Sequence, residues 1–96
     1  MAPAELVARP RRSVRLEARS RHELLLCTRA VLRDLAPSWS IGDWAVILIK
    51  DPSLGHHEVH AAFDEINERY HVSGIGLEFD EQEGEPLRAV FTRRCR

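Results

Sequence analysis

The spacing of hydrophobic positions along the chain switches between two residues and three or four, and each switch marks an element boundary. From Ser13, Val14, Leu16 and Ala18 alternate with Arg15, Glu17 and Arg19, the pattern of a half-buried strand at a sheet edge. Ser20-Arg21-His22-Glu23 then reads as a capping box opening a helix that runs to about Leu35. Leu24, Cys27, Ala30, Val31 and Leu35 recur there at helical spacing, Leu25 and Leu32 widen the stripe, and Pro37 ends it. Gly42–Lys50 contains an unbroken apolar run from Ala45 to Ile49, rich in β-branched residues, which predicts a central strand covered on both faces. A second helix is predicted from about His56 to Tyr70, where Val59, Ala62, Phe63, Ile66 and Tyr70 keep the helical period closely. After Gly74, Ile75, Leu77 and Phe79 alternate with Gly76, Glu78 and Asp80. The loop 81–86 turns the chain, and Leu87, Ala89 and Phe91 alternate with Arg88, Val90 and Thr92.

The order is therefore βαβαββ, a small α/β (α+β) domain with a mixed four-stranded sheet and two helices packed on it. The apolar central strand favours helices on opposite faces of the sheet. Residues 1–11, with two prolines and no sustained period, read as a flexible basic arm, and 12–96 as a single domain. Ala62–Tyr70 (A-F-D-E-I-N-E-R-Y) resembles the last core helix of J-domain cochaperones. The His-Pro-Asp loop that defines that family is absent from the sequence, so the resemblance implies a helix and carries no function. The βαβαββ order also occurs in several nucleic-acid-binding folds, and topology alone assigns no activity.

Charge changes the picture more than composition does. The net charge of the 96 residues is −1, yet residues 1–50 hold nine Lys/Arg against five Asp/Glu, and residues 51–96 hold five against ten. A basic end and an acidic body matter for partner choice. The acids Asp64, Glu65 and Glu68 on the second helix, with Glu78, Asp80, Glu81, Glu83 and Glu85 around the hairpin, predict a docking face for a protein partner with a basic surface. Trp39, in a polar loop, is added as an exposed interface anchor, whereas Trp44 is assigned to the core. On this basis the chain reads as a non-enzymatic interaction module of regulator or inhibitor type.

Two alternatives draw on other residues. Arg9, Arg11, Arg12 and Arg15 at the front, with Arg93, Arg94 and Arg96 at the back, suit phosphate contacts in a nucleic-acid-associated protein, although no aromatic platform accompanies them. His56, His60 and Asp64 are spaced four apart along one helix flank, as metal ligands can be, but His57-Glu58-Val59-His60 is one residue short of H-E-x-x-H. No G-x-S-x-G, phosphate-cradling glycine loop or C-x-x-C is present, so no catalytic residue and no cofactor is assigned. Cys27 and Cys95 make no disulfide scaffold, and no apolar run approaches a membrane span, so a cytoplasmic protein is expected. The first strand, as a free edge, permits a homodimer that its charges would also blunt.

Overall fold

A computed structural model describes residues 13–96. The predicted arm over 1–11 lies outside the described residues. Strand β1 (Ser13–Ala18) leads through α1 (Arg21–Arg29) to β2 (Trp44–Ile49), then through α2 (His56–Tyr70) to the hairpin of β3 (Ile75–Asp80) and β4 (Leu87–Arg93). The βαβαββ order and the mixed four-stranded sheet are as the periodicity predicts.

The sheet order is β1-β2-β4-β3, with β1 parallel to β2 and the β2–β4 and β4–β3 pairs antiparallel. The α2 crossover therefore lands β3 two places from β2, and β4 returns to fill the gap. That places β2 centrally, as its apolar run requires, and leaves β1 and β3 at the edges.

Both helices lie on one face. Leu24, Val31 and Leu32 from the first helix and Val59, Ala62 and Ile66 from α2 form one core with Ala45, Ile47 and Ile49 of β2 and Ala89 and Phe91 of β4. The helices also pack against each other. The expectation of opposite faces is thus corrected. The second apolar side of β2 (Trp44, Val46 and Leu48) has no described element over it, because three of the four strands bear charges on that side.

Local chemistry fixes the helix ends. Ser20 Oγ accepts the Glu23 N–H at 3.1 Å, while the Glu23 carboxylate bonds the N–H of Arg19 at 2.7 Å, one residue earlier than a capping box requires. Beyond Arg29 the helix widens to a π segment over Ala30–Leu35 and tightens to a 3-10 turn at Ala36–Ser38, where Pro37 supplies no N–H. At the start of α2 the Glu58 carboxylate accepts the Gly55 N–H at 2.7 Å. His71 closes α2 in the left-handed region, and Gly74 (φ +78°) turns the chain into β3.

Candidate interaction surfaces

The sheet divides the predicted acidic face. Alternation along β3 sends Glu78 and Asp80 to the helix-free side, in register with Val90 and Arg88. There each has a cation: Glu78 pairs with Arg94, and Asp80 lies 3.7 Å from Arg88. The other acids stay with α2 and the hairpin loop. Glu81 meets His56 Nε2 at 2.7 Å, which ties the loop to the first turn of α2, and Glu81, Glu83 and Glu85 line a shallow cavity of about 310 Å³. Glu85 is 3.6 Å from Arg88, and Glu65 is 3.9 Å from Arg69. Asp64, Glu68 and Glu83 are exposed and have no ion-pair partner among the described residues.

The tryptophans exchange the roles the sequence suggests. Trp39 is buried to 1% exposure, its N–H bonded to the Ala36 carbonyl, because the 3-10 turn at Pro37 swings it beneath the helix end. It is a core residue and is not available as an interface anchor. Trp44 instead stands half-buried on the helix-free face, opposite Thr92 in β4. Val46 and Val90 face each other beside it, and Leu48 follows between Glu17 and Arg88. Ser13, Trp44, Val46, Leu48, Val90 and Thr92 contribute to a shallow cavity of about 590 Å³ on this face. Charge pairs frame the apolar strip: Glu17 binds Arg19 at 2.8 Å and Lys50 at 3.3 Å on one side, with the Asp80–Arg88 and Glu78–Arg94 pairs on the other. Arg94 lies across Gly76, where an added Cβ would collide with its side chain.

The basic tail is split in the same way. Arg93 is 7% exposed, and its guanidinium donates to the carbonyls of Ala36 (2.7 Å), Ser73 (2.8 Å) and Cys95 (3.2 Å). It joins the ends of both helices to the last strand and cannot also grip phosphate, which corrects its assignment to a nucleic-acid surface. Alternation itself held the signal, since Ala89, Phe91 and Arg93 share the core side. Arg15 and Arg94 remain on the helix-free face, Arg96 is exposed at the end, and Arg9, Arg11 and Arg12 lie outside the described residues.

The histidine flank is used for packing. His56 stacks on Phe79 at 4.0 Å between ring centroids, and His60 tilts against the same ring at 5.3 Å. Among the described residues no group of three or more His, Cys, Asp and Glu is placed to hold a metal ion, so His56, His60 and Asp64 are not gathered into a ligand set. Cys27 is half-buried, with its thiol 3.4 Å from the Glu17 carbonyl; burial, then the Glu23 carboxylate, push its pKa up. No described helix is long and apolar enough to cross a membrane. Comparison with protein-family models, with curated proteins and with solved structures finds no match.

Proposed function

We propose that the chain is a non-enzymatic interaction module, of regulator or inhibitor type, that offers the acidic flank of α2 and the β3–β4 loop to a basic protein surface. One observation carries the reading. Asp64, Glu65 and Glu68 crowd the C-terminal half of α2, and Glu68 stands in its last turn, where the helix dipole favours cations and Arg69 is the one basic residue. Glu65 is paired with Arg69, but Asp64 and Glu68 have no ion-pair partner among the described residues, and an unpaired Glu68 at the unfavourable end of the helix lowers stability. A local rule broken in this way is what a binding surface leaves behind. Glu81, Glu83 and Glu85 extend the same sign of potential around the loop, which steers a cationic partner and sets its orientation.

The test compares the wild-type chain with Asp64→Asn/Glu68→Gln/Glu83→Gln as bait in nuclease-treated native lysate, washed across a salt series. A partner held by wild type, released by salt and missing from the neutralised bait is expected. Identical capture by the two baits sinks the reading. Recovery that disappears with nuclease would instead favour nucleic-acid contact through Arg15, Arg94 and Arg96.

A further inference from the structure

We propose that the helix-free face of the sheet is a self-association surface, closed by a second copy of this chain about a two-fold axis parallel to the strands. The face is three registered rows deep: Ser13–Trp44–Thr92–Gly76, then Arg15–Val46–Val90–Glu78, then Glu17–Leu48–Arg88–Asp80. Its accessible apolar surface comes from Trp44, Val46, Val90 and Thr92 on the two central strands, Leu48 being already buried at 4% exposure, and its charges stand mostly on the edges. With Arg94 lying over Gly76, three cations (Arg15, Arg88, Arg94) balance three anions (Glu17, Glu78, Asp80). A net-neutral face with Glu78 and Asp80 beside its arginines is a poor match for a phosphate backbone. It is a good match for itself.

The direction of the axis follows from the rows. An axis along the strands brings each β1 over the β3 of the other copy and keeps the rows aligned. Arg15 then meets Glu78, Val46 meets Val90, and Trp44 meets Thr92. The like-charged Glu17 and Asp80 also meet, and Leu48 meets Arg88. Glu17 and Asp80 are paired within their own chain, with Arg19 and Lys50 or with Arg88, as Glu78 is with Arg94. The attraction across the axis therefore comes from Arg15, which has no ion pair among the described residues. An in-plane axis across the strands would set Arg15 against Arg15 and Glu78 against Glu78, and is disfavoured. The favoured axis also allows the aligned packing at about −30° usual for stacked sheets. On standard strand spacings the face measures roughly 20 Å by 20 Å, or about 800 Å² of flat surface for the two copies. That is below the roughly 1,200–2,000 Å² of stable specific interfaces and in the range of transient ones, so the dimer is weak and forms only with concentration, with Kd on the order of tens of micromolar.

The experiment is sedimentation of the purified full chain from about 5 µM to about 1 mM, spanning that Kd. Arg15→Glu and Glu78→Arg are each expected to weaken the dimer roughly tenfold or more, and the double charge swap to restore it, with circular dichroism confirming that every variant folds. Because Trp39 is buried, the emission of Trp44 should shift with dimerisation. A wild-type chain monomeric throughout the range overturns the proposal. So does a dimer indifferent to Glu78→Arg, since pairing through the β1 edge would not sense β3, and so does a failed rescue. Binding of a single-stranded oligonucleotide that shifts Trp44 emission in a monomer would give the face to nucleic acid instead. None of these outcomes bears on the acidic flank, which is read from lysate capture.

Discussion

Single residues decide which sequence signals are used for folding and which stay at the surface, and Arg93 is the clearest case. Its planar fork reaches carbonyls from three segments at once, a geometry that lysine's single ammonium on a flexible stem cannot reproduce. Arg93→Met should lower stability by about 3 kcal/mol, because buried carbonyls lose charge-assisted bonds, and Arg93→Lys should fall well short of wild type. Urea unfolding reads both, and a loss confined to a few tenths would mean the tail is only loosely attached. Cysteine reactivity gives a second residue-scale result. The Cys27 thiol is half-buried with its pKa pushed up, whereas Cys95 is exposed, so at neutral pH a thiol reagent should label Cys95 first and Cys27 slowly. Arg93 was legible as a core-side position from its alternation with Ala89 and Phe91; its basic character pointed the other way. Trp39 was not legible, since a loop has no period and its burial depends on the 3-10 turn.

At the scale of elements the periodic segments of the sequence coincide with the strands and helices of the fold, because burial imposes the same spacing that backbone geometry does. The ends depend on individual bonds, and there the sequence is less explicit. The switch from α to π geometry after Arg29 has no pattern of its own, whereas the start of α2 turns on Glu58. The Glu58 carboxyl is held below its ordinary range, first by the Gly55 N–H and then by its own backbone N–H. A carboxyl lowered in the folded state contributes stability above its unfolded pKa and loses it as pH falls through the folded value. The thermal-stability gap between wild type and Glu58→Gln should therefore be fully open at neutral pH and close as pH falls below about 4.3. A gap independent of pH would remove Glu58 from the cap. Gly74 fixes the other end of this unit. It sits at φ +78°, and a Cβ there would collide with the Cys95 carbonyl oxygen, so Gly74→Ala should cost more than about 1 kcal/mol in urea unfolding.

Over the whole molecule, placing both helices on one face gives the protein two chemically distinct sides. The apolar run of β2 said that both its faces were suited to burial, but not what would cover the second. Its neighbours held part of the answer: Arg15 and Glu17 on β1, Glu78 and Asp80 on β3 and Arg88 on β4 all alternate onto that side, a charge load that a helix layer would have had to bury. The acids fall in two groups, 64–68 and 78–85, but their shared sign likewise hid how the sheet divides them, because strand alternation sends neighbours in sequence to opposite faces. If the acidic flank and the sheet face are separate surfaces, their substitutions should act independently. Glu68→Lys places a cation in the last turn of α2, four residues after Asp64, and should raise monomer stability by about 0.5–1 kcal/mol while weakening capture of a basic partner. Arg15→Glu, on an exposed strand edge, should change monomer stability by no more than about 0.5 kcal/mol while lowering self-association. In the double variant the two stability changes should add to within about 0.5 kcal/mol, as they do for sites without shared partners. Urea unfolding below the dimerisation range measures all three proteins. A larger coupling would mean that the helix layer and the far face of the sheet share a network, and that α2 feels what the sheet binds.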